Sequence, residues 1–170
     1  MELTNGQITL KALQSSDAKS ISALANNRRV SINMRDRFPY PYKEQDAIDF
    51  ITNQQNKTPA ETFGIFYNNV AIGIIGVFPQ EDVYRFSAEL GYWIGEPYWG
   101  KGITAVAINL MVPYAFEVLK LNRLYADVFS INPPSMRVLE KCGFTFEGIF
   151  KKSVFKDGKF LDSHRYAKVY

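Results

Sequence analysis

The sequence predicts a mixed α/β fold, and three observations predict it. Alternating runs such as Ile8-Thr9-Leu10-Lys11-Ala12-Leu13 carry the two-residue period of a half-buried strand. A longer stretch repeats apolar residues at three- and four-residue spacings, through Ile103, Val106, Ala107, Leu110, Tyr114, Val118 and Leu121, which is the period of a helix face. Two dipeptides, Asn68-Asn69 and Asp157-Gly158, sit between extended segments and accept the positive φ that a tight hairpin requires. The order of elements matches neither a regular doubly wound repeat nor an all-β sandwich.

Taken in order, residues 8–13 read as the first strand, and Ser15 or Ser16 caps a helix with Ile21, Leu24 and Ala25 on one side. The aromatic, proline-punctuated loop Phe38-Pro39-Tyr40-Pro41-Tyr42 leads to a second helix carrying Ala47, Ile48, Phe50 and Ile51. Residues 62–67 and 70–78 form two strands joined at Asn68-Asn69, and residues 86–94 form another. The long helix begins after Gly100-Lys101-Gly102, and Pro113 is expected to kink it. A strand over 124–129 precedes a short helix capped at Asn132-Pro133 and ended by Gly143, with Phe144 covering the turn. Two last strands flank Asp157-Gly158.

No repeat, low-complexity tract or linker divides the 170 residues, so they read as one domain. With 46% hydrophobic and 15% aromatic residues the chain needs no metal or disulfide staple to build a core. Its one cysteine, Cys142, fits a reducing compartment. Glu2, Asn5 and Gln7 interrupt any apolar leader, and the run 70–78 falls far short of the ~20 residues that span a bilayer, so a cytoplasmic protein is expected, with no membrane partner. A net charge of +3, spread along the chain, argues against nucleic acid as a partner.

The Gly100-Lys101-Gly102 turn, between a strand and a helix N-terminus, suits a phosphate. The first helical N–H groups lack partners, and the helix dipole adds about half a positive charge there. Glycines let the backbone approach oxygens, and Lys101 adds a point charge. Alone, the turn is equally an ordinary one with glycines chosen for φ. It is no nucleotide P-loop, because no Gly-x4-Gly-Lys-[Ser/Thr] is present (Gly102 follows Lys101), and no third glycine completes a dinucleotide fingerprint.

Several segments carry a resemblance: Ala88-Glu89-Leu90-Gly91-Tyr92-Trp93-Ile94-Gly95, Tyr98-Trp99-Gly100-Lys101-Gly102, Asn132-x-x-Ser135, and Val138-Leu139-Glu140-Lys141-Cys142-Gly143-Phe144-x-x-Glu147-Gly148. Together with Asn26-Asn27 and Asp36-x-Phe38-Pro39-Tyr40-Pro41-Tyr42, they resemble the GNAT superfamily of N-acetyltransferases. The branch they look most like is the RimJ/RimL type, which acetylates ribosomal-protein N-termini. The resemblance spans nearly the whole chain. It implies a single GNAT domain over 1–170, with a mixed, mostly antiparallel sheet of about seven strands and helices on both faces. Acetyl-CoA is the implied donor, coenzyme A the product, and an amine the acceptor. A homodimer is left open.

By the same resemblance, Trp99, Gly100, Lys101, Gly102, Ile103 and Thr104 hold the pyrophosphate. Thr104 departs from the family's small residue there, and its hydroxyl either adds a phosphate contact or crowds it. Trp93 and Ile94 would bond the pantetheine arm as a pseudo-strand. Asn132 and Ser135 would flank the arm near the thiol, with Lys141 near a cofactor phosphate. Many family members place a tyrosine where this chain has Leu139, so the usual proton donor is missing and Ser135 is the substitute, unless it only serves the helix start.

Acetyl transfer requires a neutral amine, donors for the oxyanion and a proton for the thiolate. An α-amine, with a pKa near 8, is easier to deprotonate than a lysine near 10.4 by roughly 3 kcal/mol. A protein N-terminus is therefore the first choice of acceptor, ahead of a polyamine or antibiotic. Glu89 is the preferred base: it shares a strand face with Gly91 and Trp93 just before the turn. Its alternative is an exposed carboxylate paired with a basic residue. Glu147, after the Gly143-Phe144 corner, is the second choice. Phe38 and Tyr40, with Glu89, would line the acceptor site, or the rings pack beneath the loop. His164 reads as a strand residue, Cys142 as packing, and no cluster has metal-ligand spacing. A non-catalytic acyl-CoA-binding module is the rival class.

Overall fold

Alternation at the start of the chain yields a hairpin where the sequence predicts one strand. In the computed structural model, which describes residues 1–55 and 57–170, β1 (Glu2–Asn5) pairs antiparallel with β2 (Ile8–Lys11). β1 is almost wholly exposed, so no apolar alternation marks it in the sequence. The serine cap is also replaced. The Gln14 N–H donates to Asp17 Oδ2 at 2.8 Å, opening a 3-10 turn over Ser15–Asp17 ahead of α1 (Ala18–Ala25). A four-residue helix follows, α2 (Arg28–Ser31), which sequence periodicity is too short to reveal. α3 (Glu44–Gln54) matches expectation, burying Ala47 and Ile51.

β3 (Thr62–Tyr67) and β4 (Val70–Pro79) turn at Asn68 and Asn69, whose φ values are 47° and 65°. β5 (Ser87–Ile94) runs toward the glycine turn, and α4 (Ile103–Pro113) leaves it. Beyond Pro113 the backbone changes to π-helical over Tyr114–Val118, with Leu119 N–H bonded to Tyr114 O at 3.1 Å. Pro113 has no N–H to continue the α ladder, so the long helix changes register at the expected position. β6 (Arg123–Phe129), α5 (Pro133–Lys141), β7 (Thr145–Lys156) and β8 (Lys159–Val169) complete the chain. Gly143 ends α5 at φ 78°, and Asp157 and Gly158 form the last hairpin turn at φ 49° and 74°.

Among the described residues eight strands, one more than the sequence suggests, run in the order β1-β2-β3-β4-β5-β6-β8-β7. The registers β1–β2, β2–β3, β3–β4, β6–β8 and β7–β8 are antiparallel, and β5–β6 is parallel. The β5–β6 register covers only Ser87–Arg123, Ala88–Leu124 and Glu89–Tyr125.

Chain packing divides into two compact units, Met1–Gly76 with Tyr92–Met111, and Val77–Gly91 with Val112–Tyr170. The first has a core of Leu13, Ile21, Val30, Tyr42, Ile51, Phe66, Ile74 and Trp93, among others. In the second, Leu124, Ala126 and Val128 on alternate positions of β6 are buried, as is Leu139 of α5. Among the described residues no helix is long and apolar enough to cross a membrane.

Candidate functional site

In the first unit, the glycine turn has the geometry of an anion cradle. Gly100 and Gly102 sit at φ 73° and 75°, a region that side chains other than glycine rarely adopt. A Cβ at either would meet nothing within 4 Å, so these glycines are not forced by protein packing. The first i→i−4 bond of α4 runs from Val106 N–H to Gly102 O at 3.2 Å, which places the Ile103 and Thr104 N–H groups ahead of it. The site thus pairs backbone donors with open space for phosphate oxygens, and the residues present fit a pyrophosphate. Lys101 is exposed, with its ammonium 5.5 Å from the Tyr98 ring centroid.

Trp99 is tied down. Its indole Nε1 donates to the Ile94 carbonyl at 2.9 Å, and the Arg29 guanidinium lies 5.4 Å from its ring centroid. Trp93 buries its side chain against Phe38, with ring centroids 5.6 Å apart, so anything it offers the arm comes from its backbone. Phe38 also lies 4.9 Å from Tyr42, and both belong to the core region of this unit. Burial, then the Asp46 charge, pushes the Tyr42 hydroxyl up to about 12, so it is protonated at any physiological pH. Of the loop aromatics named as acceptor walls, only Tyr40 stands half exposed, with Arg28 5.4 Å above its ring.

In the second unit, one sheet face collects the charged groups. Glu89 lies opposite Tyr125, and Asp127 opposite Arg165, so these four share a face with Arg123, two residues before Tyr125. The opposite face carries Tyr166 and Lys168, which bond Glu140 of α5 and the Cys142 carbonyl that caps its end. Arg165 grips Asp127 with two bonds of 2.8 and 2.7 Å, and its guanidinium lies 4.3 Å from the Tyr125 centroid and 4.7 Å from that of Phe150. Arg123 grips Glu147 in the same two-bonded way. That bond holds the Glu147 carboxyl below its ordinary range and the Arg123 guanidinium above its own. Glu147, the second-choice base, is therefore a salt-bridged carboxylate at a bulge of β7.

On α5, the Asn132 side chain accepts the Ser135 N–H at 3.4 Å, the expected cap. Ser135 is half buried at the third helical position, and Lys141 is exposed in the last turn. Leu139 is fully buried, an apolar side chain with no proton to give. Cys142 is buried and its thiol pushed up by that burial, which disfavours a thiolate. His164 is a strand residue opposite Val128 and Ile149. Among the described residues no group of three or more His, Cys, Asp or Glu could hold a metal ion.

The family described as "Acetyltransferase (GNAT) domain" matches residues 7–145. The chain belongs to the GNAT acetyltransferase family. Spermidine N(1)-acetyltransferase of Vibrio cholerae is 31% identical over 163 residues, spanning 95% of this chain and 92% of that protein. The ribosomal-protein-serine acetyltransferase of Escherichia coli is 30% identical over 110 residues, 65% of this chain and 61% of that one. A crystal structure of spermidine N-acetyltransferase from Vibrio cholerae in complex with CoA and spermine superposes with TM-score 0.79 at 30% identity, over 97% of this chain and 96% of the other. The GNAT fold and the RimJ/RimL-like resemblance read from the sequence both hold, as does acetyl-CoA-dependent N-acetyltransferase activity as the class of function.

Two groups of residues in this GNAT chain escape a reading of the sequence. Asn27, Arg29 and Glu96 meet at the glycine turn, and Tyr125, Asp127 and Arg165 meet on the second unit's sheet face. Asn27 lies in the Asn26-Asn27 pair that the resemblance singles out. The arginine forks have no local signal, because their partners lie on strands far apart in the sequence.

Proposed function

We propose that residues 1–170 act as one GNAT domain that moves an acetyl group from acetyl-CoA to a primary amine by direct attack in a ternary complex. The first choice of acceptor is a protein N-terminal α-amine. Bound acetyl-CoA supplies an activated thioester acetyl group. The N–H groups of Gly100 to Thr104 hold its pyrophosphate, with Trp99 and Lys101 beside them, and the end of β5 at Trp93-Ile94 offers its backbone to the pantetheine arm. Asn132 and Ser135 serve the arm's thiol end, and Lys141 stays in reserve for a phosphate. Glu89 takes the proton of the attacking amine. Ser135 returns a proton toward the sulfur, directly or through water, a role Leu139 cannot fill.

The observation that favours a singly charged acceptor is the pair of arginine forks. Asp127 and Glu147, on the same face as Glu89, are each held by two bonds from a guanidinium. A polyamine carries further ammonium groups that need carboxylates to receive them. Asp127 and Glu147 already have guanidinium partners to answer their charge. A peptide N-terminus brings one charge and needs one base.

The polyamine reading has support of its own in the Vibrio cholerae relatives. Thiol release from acetyl-CoA, measured with peptides of different N-terminal residues, spermidine and spermine, tests the choice. A higher kcat/KM for peptides supports the α-amine acceptor. Preference for spermidine would replace it with the polyamine, and no acceptor-stimulated release would leave only a binding module. A cytoplasmic site of action is part of the same proposal.

A further inference from the structure

Glycines at positions 100 and 102 leave the exposed Lys101 as the one side chain of the cofactor turn, so its order must come from neighbours. The neighbours are specific. The Glu96 carboxylate accepts Asn27 Nδ2 on Oε2 at 2.6 Å and the Arg29 guanidinium on Oε1. Asn27 is itself fixed, because its side-chain oxygen accepts the Arg29 N–H at 2.8 Å and caps α2. Arg29 then covers the Trp99 ring, and the Trp99 indole bonds the Ile94 carbonyl. The chain from α2 to the turn thus closes on the last residue of β5.

We infer that Glu96 is a positioning residue for coenzyme A binding, acting through Asn27, Arg29 and Trp99 to hold residues 95–102 in the conformation that receives the pyrophosphate. The inference rests on the cradle reading of Gly100 to Thr104. The ion pair is exposed, with Arg29 70% and Glu96 30% accessible, so it contributes little to folding. What it fixes is a turn, and a turn ordered before binding loses less freedom when the ligand arrives. The Glu96 charge is itself answered by the Arg29 guanidinium. A carboxylate this near an anion site is therefore compatible with binding only as part of the pair.

Glu96→Gln keeps an acceptor for Asn27 and removes the ion pair, whereas Glu96→Ala removes both. Titration calorimetry with coenzyme A should show Kd raised about three-fold in the first and about ten-fold in the second. KM for acetyl-CoA should rise in step while kcat at saturation stays unchanged, and Tm should fall by less than about 3 °C. Acrylamide should quench the Trp99 emission more readily in both variants, since Trp93 is buried in the core. Unchanged or tighter coenzyme A binding, or a loss of kcat at unchanged KM, would overturn the inference. Gly102→Val serves as the control. If it weakens binding while the Glu96 variants do not, this inference fails and the cradle stands; if it has no effect, the cradle itself fails.

Discussion

A Cβ added to Gly73 would lie 2.2 Å from the carbonyl oxygen of Trp93 and 2.8 Å from the Ile94 Cα. Both neighbours are backbone, so neither can swing aside. The close approach of β4 to the end of β5 therefore depends on a hydrogen atom at position 73. It fixes the strand end from which the glycine turn departs, where the Gly95 N–H bonds the Ile72 carbonyl at 2.9 Å. Gly73→Ala is expected to destabilise the protein by about 3 kcal/mol, read as a Tm lower by about 10 °C. Thermal unfolding followed by circular dichroism checks it. A shift under about 2 °C would mean that the strands relax freely.

Glu89→Gln tests the base. A carboxylate must be ionised to take a proton, so activity governed by Glu89 falls as the pH falls. The variant is expected to lose about 100-fold in kcat/KM and to lose that acidic limb of the profile. Coenzyme A affinity should not change. A pH–rate profile with the wild-type acidic limb would move the role to another group.

Glu147→Gln separates the second carboxylate from the chemistry. Its folded-state pKa is lowered below the ordinary 4.5, chiefly by the Arg123 bond. The stabilisation is therefore complete above the unfolded-state pKa and is lost as the pH falls through the folded-state value. At pH 7 the variant should unfold up to about 3 °C lower than wild type, as expected for an exposed pair. The difference should shrink as the pH falls below the ordinary 4.5 and close beneath the folded-state value, while kcat is retained at pH 7. Scanning calorimetry at a series of pH values reads this directly.

Features written in local chemistry are legible in the sequence. Asn68-Asn69, Asp157-Gly158 and the Asn132 cap all appear where dihedral preference and side-chain reach put them, because those causes act within a few residues. β1 is not legible, since an exposed edge strand is held by backbone pairing to β2 and shows no apolar alternation. The site divides along the same line. The glycine turn can be found from Gly100 and Gly102 alone, but its pin, Asn27 to Glu96, joins residues 69 apart. The carboxylate at Glu147 is visible in the sequence. The guanidinium that answers it lies 24 residues upstream, and Asp127 and Arg165 are 38 apart because β6 pairs with β8 across an intervening helix and strand. Ionisation and charge at the face are set by sheet order, which periodicity does not encode.

Backbone N–H groups from Gly100 to Thr104 are proposed to receive the pyrophosphate of acetyl-CoA. Titration calorimetry of coenzyme A into wild type and Gly102→Val tests this most directly. A valine Cβ enters open space, so the fold persists, although φ near 75° costs about 1–2 kcal/mol for a side-chain-bearing residue. The expected result is a folded variant with Kd raised at least about ten-fold. A folded variant that binds coenzyme A as tightly as wild type would contradict the claim.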